Sequence, residues 1–150
     1  MNTELKNFGF LPPVILGSDY WMGGGHGLTT GKPILVKNRD WRPTLLGFEP
    51  QKRTIETSSC TQFATIKPTI SLIKLKYSLE RNYSERALSI LSNNSEYGND
   101  PNITAETLRT KGLLLEEKLP FTDEIMSWEE YMQPNPLPNP PADRLPDENG

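Results

Sequence analysis

The sequence predicts an α+β domain that is mostly helical beyond residue 57 and irregular before residue 50. Three observations carry that expectation. Residues 1–50 hold eight of the eleven glycines and five of the fourteen prolines, and no helical period is sustained there. Between 57 and 132, capping residues recur ahead of apolar residues at helical spacing. From Gln133 onward, prolines stand at 134, 136, 138, 140, 141 and 146, a pattern that excludes helix and sheet ladders.

The elements follow in order. Pro33-Ile34-Leu35-Val36 is a short β-type run between Gly31 and Asn38. Asp40-Trp41-Arg42-Pro43 reads as a turn with a stacked Trp–Arg pair that anchors the N-terminal segment. Thr57-Ser58-Ser59 supplies N-cap candidates for a helix opening at Cys60, with Phe63, Ala64, Ile66, Ile70, Ile73 and Tyr77 on its buried face. Pro68 is expected to kink or split that helix, at about 3 kcal/mol. A second helix starts at the cap Ser84, turns Ala87, Leu88 and Leu91 inward, and ends at Asn93-Asn94-Ser95. A third spans 100–112, with Asp100-Pro101 at its start, Ala105 and Leu108 on one face, and Lys111-Gly112 as its stop. A helical turn follows at 127–131, with Phe121, Trp128 and Tyr131 as core or interface residues. The domain thus runs over 1–132, and 133–150 is a proline-rich tail or linker.

Composition bounds the function. The 150 residues suit one domain. A net charge of -3 and a pI near 5.2 remove the electrostatic attraction that nucleic-acid binding relies on, so no nucleic-acid partner is expected. No apolar run approaches membrane-span length, so no membrane partner is expected either. One cysteine excludes an internal disulfide framework and a multi-cysteine zinc site, and one histidine leaves little scope for a metal centre. No cofactor or metal is expected. Glu4 and Lys6 precede an apolar stretch broken by Gly9, Pro12 and Pro13, unlike a secretory signal. A cytoplasmic location follows, and the sequons at Asn82, Asn93 and Asn102 then stay unmodified.

Few groups can carry chemistry. Cys60 follows the Thr-Ser-Ser cap and falls in a first helical turn, where the helix dipole favours a thiolate nucleophile. A lone cysteine also serves as a small buried apolar residue. Gln51, beside Lys52 and Arg53, reads on its own as a surface residue. Gln62 is the fallback polar residue. His26 sits in a glycine loop that lacks the context of a phosphate-binding loop. Glu116-Glu117 and Glu129-Glu130 read as solvated charge, because adjacent carboxylates do not face each other across a substrate.

The order Phe48-Glu49-Pro50-Gln51, Cys60, Phe63-Ala64, Ser84-Glu85-Arg86, Gly98-Asn99, Gly112 and Glu116-Glu117…Pro120-Phe121 resembles the first half of papain-like cysteine peptidases. It is more similar to the divergent versions found in bacteriophage and metagenomic sequences. The resemblance covers about residues 40–132. It implies the mostly helical left half of a papain-like fold, with the β-barrel half missing. It also implies a thiol peptidase, or its N-terminal half, acting on a peptide or protein substrate. Cys60 would be the nucleophile, Gln51 an oxyanion donor, and Gly98 part of the turn that holds substrate backbone. Phe63 and Ala64 would pack beneath the cysteine. In the family the catalytic histidine and asparagine follow the cysteine by about 130–150 residues, so His26 does not match and a complementary C-terminal half becomes the expected partner. The other function class is a non-catalytic bacterial or phage binding or structural module, in which Cys60 is only core.

Overall fold

The computed structural model describes residues 9–12, 14–15, 36, 38, 40–47 and 49–133. His26, most of the 33–36 run and the proline-rich tail lie outside the described residues. The described chain is 48% helical with little strand, and no barrel is present among these residues. Its elements are β1 (Gly9–Phe10), a 3₁₀ turn (Arg42–Thr44), α1 (Cys60–Tyr77), α2 (Glu85–Leu91), β2 (Gly98–Asn99), α3 (Pro101–Lys111), a second 3₁₀ turn (Glu116–Lys118) and α4 (Trp128–Met132).

Helix α1 runs unbroken through Pro68, against the expectation of a kink or split. The proline lies on the exposed side of the helix, so the carbonyl it leaves without a donor, that of Ala64, is on the exposed side too. Around it, the hydroxyls of Thr65 and Thr69 donate back to the carbonyls of Thr61 (2.7 Å) and Thr65 (2.8 Å). The inner face of α1 changes character along its length. Thr61 and Gln62 are buried in its first turn, and Ile66, Ile70 and Ile73 in its later turns. Ala64, expected inside, is exposed.

The isoleucines pack with Tyr83 and Leu88 in the main apolar cluster, bordered by Leu46, Leu108 and Leu113. Burying such side chains stabilises by about 1.5–3 kcal/mol each. Ala87, Leu114 and Leu119 form a second cluster, and Phe121, Ile125 and Tyr131 a third, with Trp128 beside it. The core role expected of Phe121, Trp128 and Tyr131 is therefore present. Phe121 and Tyr131 meet edge to face at 5.1 Å.

The later helices begin where their caps stand. Ser84 Oγ accepts from the Ala87 amide at 3.0 Å, the Asp100 carboxylate from the Asn102 amide at 2.7 Å, and Ser127 Oγ from the Glu130 amide at 3.1 Å. Gly112 ends α3 at φ 80°, a backbone conformation that favours glycine. On α3 the buried residue is Thr104 rather than Ala105, which is exposed. Thr104 Oγ1 joins Thr61 Oγ1 at 3.3 Å, so this face is held by a polar contact that an apolar pattern does not reveal. Near the N-terminal side, Arg42 pairs with Asp40 at 2.7 Å instead of stacking on Trp41. Trp41 and Leu45 stand across from Pro68 and Leu72, bordering an apolar groove of about 370 Å³. No helix among the described residues is long and apolar enough to cross a membrane.

Candidate thiol site

The chain approaches α1 through a tight passage. An antiparallel bridge joins Lys52 to Glu56, and Thr57 Oγ1 donates to the Gln51 carbonyl at 3.0 Å. Ser58 then takes φ 47°, which turns the backbone into the helix. Ser59 occupies the N-cap position but makes no side-chain cap bond. Its hydroxyl lies instead 3.1 Å from both Ser89 Oγ and Tyr131 Oη and donates to the Thr57 carbonyl at 3.1 Å. Asn94 Nδ2 donates to the Thr57 carbonyl at 3.2 Å and to Ser59 Oγ at 3.3 Å. The cap expected from Thr57-Ser58-Ser59 has thus become a tertiary hydroxyl cluster that fixes the helix entry.

Cys60 is the first residue of α1 and is unpaired. It is partly exposed, whereas Thr57, Ser58, Ser59, Thr61 and Gln62 around it are all buried. The helix start favours a thiolate through the backbone amides of Thr61 and Cys60, yet burial outweighs them and pushes the thiol up, with the Glu56 carboxylate adding to the rise. The direction is opposite to the one that its placement at a helix start suggests.

Gln51 shares the same passage, and its Nε2 donates to Glu56 Oε1 at 3.1 Å. The Ser58 amide reaches the same oxygen at 3.2 Å, so one carboxylate oxygen gathers both donors. Gln62 is fully buried and turned inward, accepting from Thr61 Oγ1 at 2.9 Å and donating to Ser92 Oγ at 3.1 Å. It serves the interior network that continues through Asn99, not the thiol. Gly98 lies in β2 at φ 107°. Its N–H donates to the Ser95 carbonyl at 2.9 Å, and its carbonyl accepts from the Ser95 amide and hydroxyl. The fold therefore brings Gln51 and Cys60 onto one loop-to-helix passage and holds Gly98 in a separate turn. Phe63 is half-buried beside Lys67, whose Nζ stands 5.8 Å from the ring centre.

The strongest electrostatic feature was not singled out from the sequence. Lys67 Nζ lies 2.8 Å from Glu49 Oε2 and 2.8 Å from Glu85 Oε1. Asn82 Nδ2 donates to the other oxygen of Glu49. Burial raises Glu85 to about 7, and Glu49 adds to the rise. At Glu49 burial also raises the group, but the Lys67 and Asn82 contacts outweigh it and the net shift is downward. Glu116 is half-buried rather than solvated, accepts from the Phe121 amide at 3.1 Å, and is pushed up by burial. A signal for Glu85 was present: a glutamate directly after the N-cap Ser84 favours the first helical turn. Comparison of the chain with protein-family models, with curated proteins and with solved structures finds no match.

Proposed function

We propose that the chain is the helical half of a papain-like cysteine peptidase in which Cys60 is the nucleophile. The observation that supports this reading is how the thiol is displayed. A hydrogen-bonded framework buries Thr57, Ser58, Ser59, Thr61 and Gln62 and leaves Cys60 among them partly exposed, at the start of an 18-residue helix. First-turn amides have no acceptor within the helix, so those of Cys60 and Thr61 suit an oxyanion forming at the sulfur.

In the proposed reaction the Cys60 sulfur bonds to a peptide carbonyl carbon. A histidine supplied by the complementary half takes the thiol proton and returns it to the leaving amine, as the peptide C–N bond breaks. Water then releases the acyl group. Gln51 joins the oxyanion site once its amide leaves Glu56. Gly98 meets substrate backbone only by giving up its bonds to Ser95. A complementary half remains the proposed partner, and a cytoplasmic location the proposed setting. The second reading is a non-catalytic binding or structural module. It is favoured by the neutral thiol and by the open apolar groove at Trp41, Leu45 and Leu72.

A panel of peptidyl chloromethyl ketones separates the two readings on the chain as it is. A peptidase half binds the peptide before alkylation, so labelling rates at Cys60 differ between sequences by about tenfold or more. Uniform rates equal to that of chloroacetone, the same electrophile without a peptide, support the binding module instead.

A further inference from the structure

We propose that Glu49, Lys67 and Glu85 form a proton-linked latch that pins the segment carrying Gln51 against α1 and α2. The latch acts on this segment whether or not Cys60 is a nucleophile, so its failure would leave the peptidase reading standing.

The geometry is that of one ammonium serving two carboxylates from different parts of the chain. Glu49 precedes the 51–56 turn, Lys67 lies on α1, and Glu85 opens α2. Glu85 is 4% exposed, and Lys67 meets it as a close ion pair without the angle of a full hydrogen bond. It is therefore the least well served carboxylate of the cluster. Carboxylates buried with too little positive charge take up a proton.

The groups on the surrounding elements do not change that balance. Arg86 on α2 commits its guanidinium to the carbonyls of Tyr131 (2.8 Å), Glu130 (2.7 Å) and Pro120 (3.2 Å). Arg53 reaches Asp123 at 3.3 Å. Glu116, from the second 3₁₀ turn, adds negative charge, and Tyr131 on α4 is uncharged, its hydroxyl held up by burial. A cavity of about 10 Å³ lies among these groups, room for one water. Among the described residues, Lys67 is thus the cation shared by Glu49 and Glu85. With one proton on Glu85 the cluster is balanced, and Glu49 holds Lys67 firmly. Loss of that proton places two anions on one ammonium in a partly buried site, and the more exposed of the two carboxylates, Glu49, is released with its segment.

Hydrogen exchange followed by mass spectrometry on the peptide spanning 49–58 tests the latch, corrected for intrinsic exchange and compared with α3 as an internal reference. Wild-type protection of this peptide should fall about tenfold between about pH 6 and pH 8.5 relative to α3. Glu85→Gln should keep the high protection at both pH values. Lys67→Met should show low protection at both. Wild-type protection that does not change with pH would overturn the latch, as would a Glu85→Gln variant that keeps the full pH response. Glu85→Gln carries the decision if Lys67→Met fails to fold.

Discussion

Tyr131, near the end of the described chain, places its hydroxyl 3.1 Å from the Oγ of Ser59, the N-cap residue of α1. The same hydroxyl lies 3.0 Å from Ser89 Oγ on α2. One phenol thereby ties α4 to the entry of the longest helix and to its neighbour. Ser59 gives up the usual cap bond for this contact, so the start of α1 is fixed by tertiary structure rather than by local capping.

Tyr131→Phe should then lower stability by about 1–3 kcal/mol, the range for leaving buried hydroxyl partners without one of their bonds. Tyr131→Ala also removes the ring from Phe121 and Trp128 and should cost about 3–5 kcal/mol. Urea denaturation of the three proteins checks the order. Equal stability of wild type and Tyr131→Phe would show that the Tyr131 hydroxyl contributes nothing.

Glu85 predicts a pH dependence of stability. Its folded value, about 7, lies above the ordinary 4.5, so the folded chain keeps a proton that the unfolded chain has released. The stabilisation is fully present below about pH 4.5 and is lost as pH rises through about 7, with a slope of at most about 1.4 kcal/mol per pH unit. Glu116, also raised, acts in the same direction. Glu49 is lowered and acts oppositely: its contribution is present above the ordinary carboxylate value and is lost as pH falls through its lowered one. Wild-type stability should therefore decline between about pH 5 and pH 8, and Glu85→Gln should flatten most of that decline. Denaturant midpoints across this range give the comparison, and parallel curves would contradict it.

Pro68 should be a site of easy stabilisation. The helix already runs through it, and the side chain is exposed, so Pro68→Ala restores an amide that can donate to the Ala64 carbonyl without disturbing the core. Helix propensity favours the change by about 3 kcal/mol, and proline's restriction of the unfolded chain offsets about 1 kcal/mol of it. A net gain of about 1–2 kcal/mol should appear as a higher melting temperature. A loss of stability would show that the proline supports the local geometry of α1.

What was legible in the sequence is what local chemistry decides. Ser84, Asp100-Pro101, Gly112 and Ser127 mark their helix ends because each acts on residues within a turn of itself. The apolar run Ile66, Ile70 and Ile73 was readable for the same reason. The cluster of Glu49, Lys67 and Glu85 was not, since its members come from separate segments and any charged residue alone reads as surface. Thr104 escaped because polar side chains give no hydrophobic period, although several of them build the contact between α1 and its neighbours. At the candidate site, Cys60 was singled out by residue type and its place after the Thr-Ser-Ser run, and Gln51 by the resemblance. The part played by Glu56 could not, because it depends on a bridge to Lys52 and on the turn at Ser58.

Glu56 yields the last prediction. Its Oε1 accepts from the Gln51 side chain and from the Ser58 amide, and its charge raises the Cys60 thiol on top of burial. A raised thiol is mostly neutral near pH 7, and only the thiolate reacts with iodoacetamide. Folded wild-type protein should therefore be alkylated at Cys60 more slowly at neutral pH than a free cysteine peptide, with its rate rising at higher pH than the peptide's. Glu56→Gln removes the negative charge while keeping an acceptor oxygen for the Ser58 amide. It should shift the rate profile to lower pH and speed alkylation at neutral pH by a few-fold. Gln51→Ala leaves the charge in place and should not produce that shift. Profiles measured from about pH 6 to pH 10 on the three proteins, with the denatured chain as reference, separate the electrostatic effect from simple exposure. If Glu56→Gln and wild type react alike at every pH, the carboxylate has no hold on the thiol, and burial alone keeps Cys60 neutral.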